Sequence, residues 1–352
     1  MPARVGSGSR PVQKHGHGEV VQPTAGEPRS ELADQSLPRT QVVEIQRARL
    51  LAAAVRAVEE LGYTRVTVAH ITRRARVSRR TFYELFSNRE ECLLAVIDET
   101  LERIDRELIA AAVDDLAWCE RTRVGLGVIL SFFDREPALA RMCVVQAMRG
   151  GPTVLERREQ ILARLAKVID GGRAEGPRGE RCTPLIAEGL VGAAFAIVHT
   201  RLLRDERVPL AALLGELMGM IVLPYLGPAA TRRELTRPAP DVSPQLTARK
   251  QFTVDPLEGL SMRMTYRTAK VLEGIAQRPG VSNREVARHA GIHDQGQVSK
   301  LLSRLQRLGL LVNQGPGHIK GEPNSWCLTP SGVLLMRSIA LRQSSPHEGQ
   351  RV

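Results

Sequence analysis

Aromatic side chains are scarce in this chain: six Phe, four Tyr and two Trp make up 3% of 352 residues. The hydrophobic share is an ordinary 43%, so small and aliphatic side chains must fill the interior, which suits packed helices better than a β-sandwich. Cysteine is sparse as well. Cys92, Cys119, Cys143, Cys182 and Cys327 lie far apart, form no CxxC pair and are odd in number. That argues against a disulfide framework and a zinc site, and it fits a reducing compartment. His15 and His17 stand in a Gly- and Ser-flanked run without further ligands, so neither metal nor cofactor is expected. No Ser/His/Asp ordering, Gly-rich phosphate loop or metal-ligand cluster is found, so an enzyme is not expected. Uninterrupted apolar runs, around 190–198 and 217–226, fall well short of the roughly 18–20 residues that span a bilayer and suit buried helices. The N-terminus lacks the apolar segment of an export signal, and a cytoplasmic, nucleoid-associated location is expected.

Acidic residues are outnumbered in two places in particular. The chain carries a net charge of +12, and that charge is unevenly divided. Residues 99–235 hold 19 basic and 19 acidic side chains and are neutral. Residues 41–98 hold 10 and 7, a net +3, and residues 262–342 hold 12 and 4, a net +8. Segregation of this kind is the electrostatic footprint of a phosphate-binding protein.

Both basic regions read as helix-turn-helix units. In the first, apolar residues recur at helical spacing from Val42 to Leu61, and Gly62 ends that helix. Thr67 stands at the N-cap position of a helix Val68–Ala75, and Ser78 at that of Arg79–Phe86. The turn Arg76-Val77-Ser78 sets the second helix across the first. Arginines 65, 73, 74, 76, 79, 80 and 89 crowd this stretch. The second helix of such a unit enters the major groove with its N-terminal residues, which nominates Arg79, Arg80 and Thr81. Arginine suits guanine O6 and N7 through two parallel hydrogen bonds. Thr67 and Ser78 can offer hydroxyls and backbone N–H groups to phosphates. Tyr83 has two readings, a phosphate contact or core packing.

The run from Ile45 to Val96 resembles the DNA-binding head of the TetR family of bacterial transcriptional regulators. The resemblance is carried by Ala52–Ala57, Gly62-Tyr63, Thr67-Val68, Ile71, Ala75, Val77-Ser78, Thr81-Phe82-Tyr83, Phe86 and Arg89-Glu90. It implies backbone contacts from Tyr83 and Arg89. One departure is Arg76, where the family usually has glycine. A left-handed turn residue is easier for Gly than for Arg, and an arginine there can also add a phosphate contact. The resemblance also implies an all-α fold in which the regulatory domain, residues 99–231, follows the head, residues 41–98. It further implies a homodimer whose two-fold axis lies between the last two helices, here Pro184–Arg204 and Pro209–Leu226. Leu190, Gly192, Ala194, Leu213, Leu217, Met220 and Ile221 permit close packing there. If the middle holds a small apolar ligand, Phe132, Phe133, Met142, Met148, Phe195 and His199 are candidate lining residues, and each is equally a candidate core residue, as is Trp118.

Residues 1–40 show almost no hydrophobic periodicity and are expected to be a disordered arm. Residues 232–261, with Pro238, Pro240, Pro244 and Pro256, read as a linker that leaves the C-terminal region room to move. Residues 262–342 then spell helix, helix, helix, two-stranded wing, helix, and residues 343–352 a tail. Ser282 with Glu285 makes a capping box before Asn283–Ala290. Gln297 to Leu305, Gly309-Leu310-Leu311 and Leu328 to Gly332 resemble a winged helix of the MarR type. Its reading helix, Gln295–Leu308, has no acid through Leu311 and offers Gln295, Gln297, Ser299, Lys300, Ser303, Arg304 and Arg307, with Lys320 at the wing tip. The expected protein is a ligand-responsive, homodimeric DNA-binding regulator, more a repressor than an activator. Its alternatives are an architectural or bridging DNA-binding protein without ligand sensing, and a protein whose winged helix serves protein contacts.

Overall fold

The computed structural model describes residues 39–111, 116–204, 208–238, 262–315 and 323–340. The first helix, α1, runs Arg39–Leu61 and ends at Gly62, whose φ of 75° takes the left-handed region. After a 3-10 turn, Tyr63–Arg65, come α2 (Val68–Ala75) and α3 (Arg79–Leu85). Both have the N-caps expected: Thr67 Oγ1 accepts from the His70 N–H and Ser78 Oγ from the Thr81 N–H. Between them Arg76 stands at φ 53°, ψ 39°, the one non-glycine residue with positive φ among the described residues. Asn88 caps α4 (Arg89–Ala110) by accepting from the Glu91 N–H. The boundary placed at 98/99 falls inside α4, and its apolar face packs the head and the middle into one core. Leu50, Val58, Ile71, Phe82, Leu93 and Val96 share it with Phe132, Leu139 and Met142.

The middle contains α5 (Trp118–Arg135), then α6 (Pro137–Ala140), which continues as a π-helical stretch Arg141–Gln146 and a 3-10 turn. Next are α7 (Pro152–Asp170), the short α8 (Gly172–Glu175), α9 (Pro184–Arg204), α10 (Leu214–Leu226) and α11 (Pro228–Thr236). The turn of α8 sets Gly172 directly against Trp118. A Cβ there would meet the indole ring at 2.5 Å. Trp118 is fully buried, its Nε1 donating to the Val168 carbonyl at 2.9 Å and its ring edge-on to Tyr225 at 5.3 Å. It is a core residue.

Two expectations need correction here. The last pair of helices in the middle is not equivalent in exposure. The α10 residues Leu217, Met218, Ile221 and Val222 are spent on the chain's own core, as is Leu213 just before them. The α9 helix instead is long and apolar enough, by length and composition, to cross a bilayer, yet only 22% of its apolar stretch is buried. Apolar runs in the sequence reveal neither property. Secondly, the segment expected as linker from 232 is helical to Thr236 and anchored: Arg123 and Glu234 form a buried ion pair at 2.6 Å. Arg123 also donates to the carbonyls of Arg237 and Pro238. Residues 239–261 lie outside the described residues, as do residues 1–38 and the tail.

The C-terminal module comprises α12 (Tyr266–Gln277), α13 (Asn283–His289), α14 (Gln295–Arg307), the antiparallel pair β1 (Leu311–Asn313) and β2 (Trp326–Leu328), and α15 (Pro330–Ala340). Leu311 lies opposite Leu328 and Asn313 opposite Trp326. Ser282 and Glu285 form the capping box of α13. The module is not loose. Val42 and Ile45, in the first turns of α1, are buried in its core beside Met262, Met264, Leu272 and Ile275. Gln46 Nε2 donates to the Met264 carbonyl and Arg49 Nη1 to that of Met262, both at 2.9 Å. The room to move inferred from composition is removed by burial of apolar surface that α1 carries one turn ahead of the head's own core.

This packing makes two outcomes testable. Ile45→Ala removes a fully buried side chain and should destabilise the protein by about 2–5 kcal/mol, with the C-terminal module becoming protease-sensitive first; denaturant melts and limited proteolysis read this. Arg76→Gly relieves a left-handed penalty of roughly 1–2 kcal/mol against a glycine entropy cost of about 0.5–1 kcal/mol. A small rise in melting temperature is expected.

Candidate nucleic-acid interface

On α3 the inward residue is Phe82, fully buried and packed on Phe86 with ring centroids 5.6 Å apart. Helical periodicity then turns Arg79, Arg80 and Tyr83 outward, and all three are exposed. Tyr83 keeps 57% of its surface accessible and leans edge-on against Phe82, so core packing is not its role. Arg80 pairs with Glu84 one turn on at 2.9 Å, an exposed ion pair of small worth that a phosphate can displace. The hydroxyls of Ser78 and Thr81 lie 2.8 Å apart within the cap, half-buried, while Thr67 is exposed. Arg89 has a use that spacing does not reveal. Its Nη1 donates to the carbonyls of Tyr63, Thr64 and Val66 at 3.4, 3.3 and 2.9 Å, and its guanidinium lies over the Tyr63 ring. It stitches the α1–α2 connection. Burial, helped by the nearby Glu90 carboxylate, pushes the Tyr63 phenol up to about 12, so that ring stays neutral under the arginine.

In the C-terminal module, Val298, Leu302 and Leu305 turn α14 inward. Gln295, Gln297, Ser299, Lys300, Ser303, Arg304 and Arg307 are exposed. Gln297 Oε1 accepts from Arg267 at 3.4 Å and Ser299 Oγ from Asn283 Nδ2 at 3.2 Å. The N-cap is Asp294, just outside the acid-free run, accepting from the backbone N–H groups of Gln297 and Gly296. Those hydrogen bonds hold its carboxyl below the usual range. Lys320 lies outside the described residues.

The two modules meet at a cleft of 810 Å³ next to the first turn. Arg73, Arg76 and Arg79 line it from the head, Arg263 and Arg304 from the C-terminal module, and no carboxylate is among its lining residues. Nothing local in the sequence marks Arg263; only the docking on α1 brings it to the head.

The middle gives less. Phe132 and Met142 are buried in the core shared with the head, and Met148 is 45% exposed. Phe133 lies between two cores, while Phe195 is half-buried under the Arg158 guanidinium at 4.6 Å; His199 is half-buried too. Of the six candidates, Phe132 and Met142 are therefore core residues, and Met148, in the 3-10 turn Ala147–Arg149, lies at the surface. Among the described residues no group of three His, Cys, Asp or Glu side chains could hold a metal. Burial pushes the Cys92 thiol up to about 12, so it acts as a packing group.

A family model for bacterial regulatory proteins of the tetR family matches residues 50–96. The HTH-type transcriptional regulator EthR of Mycolicibacterium smegmatis is 27% identical over 178 residues, 49% of this chain and 77% of that protein. Among solved structures, the fatty acid degradation regulator FadR of Bacillus halodurans aligns with a TM-score of 0.45 at 19% identity, covering 50% of this chain and 94% of that one. A TetR-like regulator from Rhodococcus sp. RHA1 aligns at 0.44 and 23%, covering 53% and 97%. Capped α2 and α3, the outward arginines and the matching family model agree: residues 50–96 form a helix-turn-helix similar to the DNA-binding head of tetR-family transcriptional regulators.

Proposed function

We propose that the chain is a ligand-responsive, homodimeric regulator, a repressor, in which α3 reads the major groove and the C-terminal module acts as a winged helix with α14 on the same DNA. The observation that carries this reading is the outward set Arg79, Arg80 and Tyr83 on a capped helix whose opposite side is anchored by Phe82. Arg79 and Arg80 read bases; Thr67, Ser78, Thr81, Tyr83 and Arg89 position the head on the backbone. On α14, Gln295, Gln297, Ser299, Lys300, Ser303 and Arg304 form an exposed, acid-free row. Docking of the winged helix on α1 makes the two reading heads of a protomer one body, so the tethered avidity that a flexible linker would supply is replaced by a fixed, longer footprint.

The dimer reading rests on α9. Leu185, Gly189, Gly192, Ala196, Thr200 and Leu203 are exposed and recur every three or four residues, a single small and apolar face. Additions at Gly189 and Gly192 would meet nothing within 4 Å in the protomer, which leaves room for a second helix to approach closely. On α10, Glu216 and Leu223 are exposed and Met220 is half-buried. Two-fold pairing would put the heads on half-sites about 34–36 Å apart. A small apolar ligand held near Phe133, Phe195 and His199 would bias the spacing of the heads, and with it DNA affinity.

Purified protein with Arg79→Ala and Arg80→Ala should lose selection of specific fragments from a random DNA pool, with each missing bidentate pair weakening discrimination by about 1–3 kcal/mol. Unchanged selection would remove the proposal. Ala196→Arg, on the exposed face of α9, should convert dimer to monomer in light scattering and weaken binding to paired half-sites while leaving the melting temperature nearly unchanged.

A further inference from the structure

Several arginines of α1 and of the middle are paired: Arg47 with Glu99, Arg103 with Glu136, Arg135 with Glu107, Arg157 with Asp98, Arg164 with Asp105. Even within the helix-turn-helix, Arg74 pairs with Glu60 and Arg80 with Glu84. The five around the inter-module cleft have no ion-pair partner among the described residues, and no acid lines that cleft. Five like charges facing one concave space repel each other, and low-dielectric walls strengthen that field. Such an arrangement is stabilised by an anion.

Placement of these side chains is built into the backbone. Arg76 is held in the left-handed turn between α2 and α3. Arg263 lies between Met262 and Met264, whose side chains are both buried at 2% exposure and whose carbonyls are gripped by Arg49 and Gln46 of α1. With its neighbours turned inward, Arg263 is turned out toward the head. Arg304 stands on the face of α14 opposite Leu302 and Leu305.

We propose that this cleft is a binding site for adjacent phosphate groups, held jointly by Arg73, Arg76 and Arg79 of the head and by Arg263 and Arg304 of the C-terminal module. Guanidinium forks match phosphate oxygens in pairs. The cleft is open to solvent, and its 810 Å³ admit a short length of one strand's sugar-phosphate backbone or a free nucleotide polyphosphate. In the first case the C-terminal module clamps the strand beside the groove that α3 enters; in the second a soluble polyphosphate competes with DNA. The inference rests on the DNA-binding reading only for the first source.

The test uses the full chain, a cleft variant with Arg263→Ala and Arg304→Ala, Arg263→Ala alone, and a control with the cleft variant's charge change, Arg232→Ala with Arg233→Ala on α11. All four side chains are exposed, and melting curves confirm folding. Binding to a selected DNA site is measured against salt, where removing one phosphate interaction lowers the logarithmic slope by about 0.9. Pyrophosphate and a nucleoside triphosphate are titrated calorimetrically without DNA. A flatter salt slope in the cleft variant and in Arg263→Ala alone, but not in the control, assigns the phosphates to DNA. Binding of pyrophosphate or the triphosphate that weakens tenfold or more in the cleft variant alone, with competition against DNA, assigns them to a free ligand. Equal slopes in wild type and Arg263→Ala, with equal anion titrations in wild type and cleft variant, overturn the proposal. Should wild type bind no DNA, the DNA-binding function fails on its own, and the anion titration still decides the cleft.

Discussion

A single helix, α1, is shared between two cores, and the arrangement of the reading heads depends on it. Its first turns place Val42 and Ile45 in the interior of the C-terminal module. From Leu50 onward the same helix packs against α2 and α4 in the core of the head. An α-helix is stiff over this length, so a body buried at one end and a body buried at the other hold a set orientation. Arg49 and Gln46, between the two buried stretches, close the seam with hydrogen bonds to carbonyls of the incoming chain. Leaving those carbonyls buried and unmatched would cost about 1–3 kcal/mol each, which gives the seam direction as well as area.

Electrostatics depends on that seam. In the neutral middle, several carboxylates and guanidiniums pair across helices, the Arg123–Glu234 pair being nearly inaccessible to water. Such a buried pair constrains how α11 lies on α5 more than it adds stability. At the junction of the two modules the matching stops, and positive charge from both collects around one cleft. An uneven charge distribution visible along the chain thus becomes, in three dimensions, a concentrated field beside the helix that carries Arg79 and Arg80.

The middle shows the complementary case, an apolar surface without cover. The α10 helix packs against α11, whose last residues fall in the stretch read as linker, and Leu217, Met218, Ile221 and Val222 of α10 are buried within the protomer. Among the described residues, none covers the Leu185–Leu203 face of α9. Two neighbouring helices of similar composition therefore have opposite fates, decided by which one the chain happens to cover.

Much is legible in the sequence because it is local. Thr67, Ser78 and Ser282 are caps in the structure since a hydroxyl two or three residues before free N–H groups can act alone. Gly62 and the helical spacing of Ile71, Ala75 and Phe82 likewise set the ends and inward faces of the head's helices. Periodicity states which face of a helix is apolar, not what covers it. That is why the docking of the C-terminal module on Val42 and Ile45, the structural duty of Arg89, and the exposure of α9 beside a buried α10 were decided only by tertiary packing. Arg263 gained its place in the cleft in the same way, through packing between segments far apart in the chain, whose distance in space no local pattern encodes.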